Sequence, residues 1–123
     1  MVKDDFIIKT TNLTKSYGPH VALNKLNLSV PHGATGLLGP NGAGKSTFLK
    51  TILGLIQTTE GEGTVLGLDI RTQGDQIRSR IGYMPEYDSL NPDMEAIHQV
   101  RYSGELLGMN PTIALSRAHE ALQ

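Results

Sequence analysis

The sequence predicts an α/β fold organised around a phosphate-binding loop, and three observations carry that prediction. The segment Gly39-Pro40-Asn41-Gly42-Ala43-Gly44-Lys45-Ser46-Thr47 satisfies the pattern G-x-x-x-x-G-K-[ST]. It lies between a strand-like run and a helix-like run, the order such a loop requires. Short strand-like segments precede it, and from Asn91 onward the pattern becomes all-helical.

Taken in order, Phe6-Ile7-Ile8-Lys9-Thr10-Thr11 is β-branched and aromatic and reads as a first strand, closed by the turn-forming residues of Asn12 to Pro19. Val21-Ala22-Leu23 and Leu26-Asn27-Leu28-Ser29-Val30, with apolar residues alternating at 26, 28 and 30, read as a second. Pro31-His32-Gly33 supplies a turn. Ala34-Thr35-Gly36-Leu37-Leu38 has no helical period and suits a buried strand feeding the loop. Phe48, Leu49, Ile52, Leu53 and Ile56 recur every three or four residues, which predicts a helix from about Lys45 to Ile56. Thr58 to Gly63 is a polar connection, Thr64 to Leu68 a short strand, Gln76 to Ser79 a weak helical segment and Ile81 to Met84 a further strand. Asn91 can cap a helix that begins at Pro92, with Asp93 and Glu95 near its positive dipole end; Ile97, Val100, Gly104 and Leu107 mark one face, and Gly108 suits its stop. Asn110-Pro111 starts a last helix carrying Ile113, Leu115, Ala118, Ala121 and Leu122, whose pattern is expected to be cut off at Gln123 because no terminating residue appears.

The loop's composition follows from what a polyphosphate demands. Several negative charges need many convergent donors, and a glycine-rich turn offers backbone N–H groups because it can curl without side-chain clashes. Lys45 adds a mobile positive charge for the β- and γ-phosphates, Ser46 a hydroxyl for Mg²⁺, and the helix that begins there directs its positive end at the anion. The rival dinucleotide pattern G-x-G-x-x-G fails, since Gly42 and Gly44 are followed by Thr47 where the third glycine belongs.

Bulk properties narrow the field. Eleven basic against twelve acidic residues leave a net charge of −1, so the composition carries no broad electrostatic footprint for nucleic acid or anionic lipid. The absence of cysteine removes disulfides, thiolate metal sites and cysteine nucleophiles. No apolar run approaches the roughly 20 residues that span a bilayer, and the stretch after Met1-Val2-Lys3-Asp4-Asp5 is too short for a signal peptide, so membrane association is expected through a partner.

With these residues in view, the loop resembles the Walker A loop of the ATP-binding-cassette (ABC) ATPases, where Pro-Asn after the first glycine is a characteristic form. Tyr17, in Leu13-Thr14-Lys15-Ser16-Tyr17-Gly18, is similar to the aromatic residue that stacks on adenine in that family, and a ring face suits any flat base. Gly61 to Ile70 resembles the family's glycine-rich strand region, and Ile81-Gly82-Tyr83-Met84-Pro85-Glu86 its approach to the Q-loop. Where the family usually carries Gln, this chain has Glu86, whose carboxylate can also ligate Mg²⁺.

The resemblance implies a P-loop NTPase core with an N-terminal antiparallel β layer over residues 1–86 and the incomplete start of an α-helical subdomain over 87–123. It implies ATP and Mg²⁺ as cofactors, held by Tyr17, Gly39, Pro40, Asn41, Gly42, Ala43, Gly44, Lys45, Ser46 and Thr47, with Ser46 and Glu86 at the metal. It further implies a transmembrane permease subunit and a second ATP-binding domain as partners, no nucleic acid, and a peripheral place on the cytoplasmic face of a membrane. Hydrolysis in the family also needs a Walker B strand ending in Asp and followed by Glu, a Leu-Ser-Gly-Gly-Gln signature and a switch His. Val65 to Asp69 is followed by Ile70 instead of Glu, Tyr102-Ser103-Gly104-Glu105 lacks the second glycine, and His20, His32, His98 and His119 lie upstream of a switch position. The expectation is therefore a partial ATP-binding subunit, with no catalytic residue and no significant ATPase activity alone. The alternatives are a soluble, non-transport ABC-type ATPase and another P-loop NTPase; for a GTPase, Asn24-Lys25-Leu26-Asn27 has the wrong last residue and precedes the loop.

Overall fold

The computed structural model describes residues 5–87 and 89–123, so the Met1 to Asp4 part of the segment weighed against a signal peptide lies outside the described residues. The chain divides into two compact units, one ending at Gly82 and the other beginning at Tyr83.

In the first unit, β1 (Phe6–Tyr17) and β2 (His20–Pro31) form a long antiparallel hairpin that reverses at Gly18 and Pro19. The turn-forming residues from Asn12 therefore do not end the first strand as expected. Asn12 instead adopts φ 49° in a bulge, where the register shifts between Thr10 and Leu13, and its N–H donates to Asn27 Oδ1 at 2.9 Å. Lys25, at φ 45°, makes the corresponding irregularity in β2 and joins the two predicted halves into one strand.

After the loop comes α1 (Lys45–Ile52), which is shorter than its apolar period suggested. Gly54 stops it at φ 66°: its N–H donates to Thr51 O at 2.9 Å and that of Leu55 to Lys50 O at 2.9 Å, the paired closure in which a left-handed residue satisfies the last carbonyls. β3 (Glu60–Val65) begins inside the predicted polar connection, and Leu66 and Gly67, at φ 52° and 76°, turn it tightly into β4 (Leu68–Asp69). The sheet order is β2-β1-β3-β4, antiparallel throughout. A single turn of helix, α2 (Gly74–Arg78), follows. Leu13, Leu23, Phe48, Ile52, Val65, Ile70 and Ile77 form the core, so α1 and α2 pack on the sheet through the residues their spacing selects.

Two expected strands are absent. Ala34 to Leu38 has no regular secondary structure, with Leu38 94% exposed, and Ile81 to Met84 likewise has no strand partner. A strand exists through its neighbours' hydrogen bonds, and the four described strands pair only among themselves.

The second unit holds α3 (Ala96–Leu106) and α4 (Pro111–Ala121). The first starts four residues later than Pro92 because Asn91 is used in a turn: its Oδ1 accepts from Asp93 N–H at 3.0 Å, its carbonyl from Met94 N–H at 3.1 Å, and Glu95 is extended. Its end at Gly108 is as expected, with Met109 N–H donating to Gly104 O at 3.1 Å. Asn110 caps α4, its Oδ1 accepting from Thr112 N–H at 3.0 Å with Pro111 in the first turn. Ala114 and Ala118 are buried, whereas no residue of α3 is.

Candidate functional site

The loop from Gly39 to Gly44 is shaped by its own backbone. Ala43 N–H donates to Pro40 O at 3.2 Å, closing a turn whose third position, Gly42, has φ 84°. Gly44, at φ 90° and ψ 5°, is the N-cap of α1, and the first helical bond runs from Phe48 N–H to Gly44 O at 2.8 Å. No side chain caps this end and no acidic residue occupies the first turn. The helix therefore begins with outward amide donors and an uncompensated positive dipole end.

What holds the loop in place is β2. A Cβ built on Gly44 would stand 2.4 Å from Ala22 O and 3.1 Å from Leu23 Cδ2, so the loop's last glycine lies directly against the strand's backbone. Lys45 folds back over the loop, its ammonium donating to Gly39 O and, at 2.9 Å, to Pro40 O. A cavity of about 220 Å³ beside it is lined by Ala22, Leu23, Leu37, Leu38, Gly44 and Lys45 among others. Gly39, Pro40, Asn41, Gly42, Ala43 and Ser46 are exposed, and Thr47 is half-buried. An exposed loop of this form offers an anion backbone N–H groups, an ammonium and a hydroxyl, with no acidic side chain in the helix's first turn.

Tyr17 is the last residue of β1, opposite His20, and the residue is 48% exposed. Since Ala22 lies two residues beyond His20, β2 is the common support of Tyr17 and Gly44. Lys15, on the same side of the strand, places Nζ 4.9 Å from the centre of the Tyr17 ring. The sequence carried that contact only as an i, i+2 spacing, and Lys15 was not among the expected site residues. Glu86 is exposed, without regular secondary structure, and belongs to the second unit. Among the described residues no three His, Asp or Glu side chains gather as a metal site, and no helix is long and apolar enough to cross a membrane.

A family model described as ABC transporter matches residues 23–123. The Nod factor export ATP-binding protein I of Cupriavidus metallidurans is 39% identical over 120 residues, covering 95% of this chain and 39% of that protein. The manganese transport system ATP-binding protein MntB of Bacillus subtilis is 42% identical over 89 residues, covering 72% of this chain and 34% of that protein. The chain thus spans well under half the length of these curated relatives. Among solved structures, the dimeric, post-hydrolysis ATP-binding cassette MJ0796 bound to ADP and Pi matches with a TM-score of 0.77 at 29% identity, covering 94% of this chain and 55% of that one.

Proposed function

This chain belongs to the ABC transporter family, with the fold of the N-terminal part of the ATP-binding cassette, and from that premise we propose that it binds Mg-ATP through Gly39 to Thr47 as part of a subunit that energises transport. The observation that carries the reading is the form of the loop: an N-terminus of α1 with no acidic or capping side chain, braced on β2 by Gly44 and overlaid by the Lys45 ammonium.

The residues fit a polyphosphate. Gly42 and Gly44 supply the positive φ values that turn successive amides toward one side, and Lys45 brings the positive charge. Its present acceptors, the carbonyls of Gly39 and Pro40, are neutral, so a phosphate oxygen is the stronger partner for the same ammonium. The Ser46 hydroxyl is the loop's own ligand for Mg²⁺, which characteristically takes few protein ligands and keeps water and phosphate oxygens for the rest. Tyr17 offers an exposed ring for adenine, steadied by Lys15. ATP supplies a transferable phosphoryl group, and the sequence lacks the Walker B carboxylates, the signature and the switch His that hydrolysis in the family uses, so binding without appreciable turnover is proposed for the chain alone.

The names of the relatives, an export and a transport-system ATP-binding protein, support a role beside a separate membrane permease as partner, and a peripheral position at the cytoplasmic face is proposed with it. The dimeric cassette supports pairing with a second ATP-binding domain. Calorimetric titration of the chain with Mg-ATP and with Mg-tripolyphosphate tests the site. Lys45→Ala should weaken both by about tenfold or more, the scale of a charged hydrogen bond, while Tyr17→Ala should weaken Mg-ATP alone. Equal affinity of Lys45→Ala and the parent chain would refute the reading.

A further inference from the structure

We infer that Arg78 is a positioning residue for the phosphate-binding helix, acting on it from the end opposite the loop. The inference rests on the proposal that the N-terminus of α1 holds phosphate, and it concerns what fixes that terminus in place.

An eight-residue helix is about 12 Å long, so a small swing of its C-terminal end re-aims the amides at its start. α1 leaves carbonyls at that end for other partners. The guanidinium of Arg78 sits over that end: Nη1 donates at 2.9 Å to the carbonyl of Leu53, the residue that caps α1, and at 3.3 Å to that of Gly54 just beyond it. Its other nitrogen, Nη2, pairs with Asp75 within α2, which orients the planar fork.

The surroundings are built around this contact. A Cβ on Gly54 would stand 2.9 Å from Gly74 Cα and 3.3 Å from Ile70 O, and a Cβ on Gly74 would stand 2.9 Å from Arg78 Nη1. Any larger residue at position 74 would displace the guanidinium. One residue before it, Ile77 is fully buried in the core that includes Phe48 and Ile52 of α1. The single turn of α2 is thus anchored in the same core as α1 by Ile77 and reaches the end of α1 through the Arg78 cation.

Two features separate this role from mere stabilisation. The Arg78 and Asp75 side chains are 36% and 97% exposed, so their ion pair adds little to folding. The charge is also placed where it acts along the axis: a cation at the negative end of α1 complements an anion at the positive end.

The test uses the full 123-residue chain, with Arg78→Ala, Arg78→Lys and, as a destabilised core control that leaves the Arg78 hydrogen bonds in place, Leu13→Val. Affinity for Mg-tripolyphosphate and Mg-ATP is measured at a temperature where circular dichroism reports every variant folded, alongside amide spectra of Gly44 to Ser46 without ligand. Arg78→Ala should lose about fivefold in both affinities, within the range that remote packing contacts impose, and shift the Gly44 to Ser46 amides. Arg78→Lys should recover part of each, and Leu13→Val should change neither. Parental affinity and parental loop amides in folded Arg78→Ala would overturn the inference. Should the parent chain bind neither ligand, the phosphate reading falls, and the loop amides alone decide whether Arg78 reaches along the helix.

Discussion

Gly42 and Gly44 lie two residues apart in one loop with similar left-handed backbones, at φ 84° and 90°, yet alanine should affect them very differently. At either position a Cβ in this conformation costs about 1–2 kcal/mol. Gly42 has nothing within 4 Å of an added Cβ, so the backbone cost is the whole expected effect. At Gly44 the added carbon would meet Ala22 O at 2.4 Å, and that atom is strand backbone, which cannot rotate away. A normal carbon to oxygen contact is about 3.3 Å or more, so loop and strand must part by nearly 1 Å, at an overpacking cost of about 1–3 kcal/mol. Gly44→Ala should therefore destabilise the first unit by about 2–5 kcal/mol against about 1–2 for Gly42→Ala. The assay is urea unfolding of both variants followed by far-ultraviolet circular dichroism, with the denaturant slope compared to confirm that the same surface unfolds. Equal midpoints for the two variants would refute the claim that β2 braces the loop through Gly44.

Other consequences are independent of the loop. Ile77 is fully buried among the core side chains, so Ile77→Ala should cost about 2–5 kcal/mol by urea unfolding; a loss below 1 kcal/mol would mean that α2 is not docked as described. In the second unit, Asn110→Ala removes the side-chain acceptor for Thr112 N–H and should cost about 1 kcal/mol. Faster amide exchange at the start of α4, with the first unit unaffected, is the expected sign; unchanged exchange there would remove Asn110 as the cap.

Features governed by local chemistry were legible along the chain. The loop pattern, the beginning of α1 at Lys45, the Asn110 cap and the stop at Gly108 each depend on residues within a stretch of eight positions or fewer, the loop pattern from Gly39 to Ser46 being the longest. The same local rules misread Asn12, because a residue tolerant of positive φ serves a strand bulge as readily as a turn, and only the partner strand with Asn27 shows which. They also placed the start of α3 too early, since an Asn side chain can cap a turn as well as a helix. Arg78 carried no signal at all: its acceptors, Leu53 and Gly54, lie 25 and 24 residues away.

By itself, then, the sequence determined that this protein carries a loop of the phosphate-binding pattern leading into an amphipathic helix, with the family resemblance and the expected ligand that follow. Tertiary structure alone decided which extended segments became strands, leaving Ala34 to Leu38 unpaired while β1 ran on to Tyr17. It alone set Gly44 against Ala22 and Arg78 against the end of α1. The physical reason is one of range. Backbone dihedrals and helix caps are satisfied by near neighbours in the chain, whereas strand pairing and close backbone approach depend on partners that folding brings from far along it.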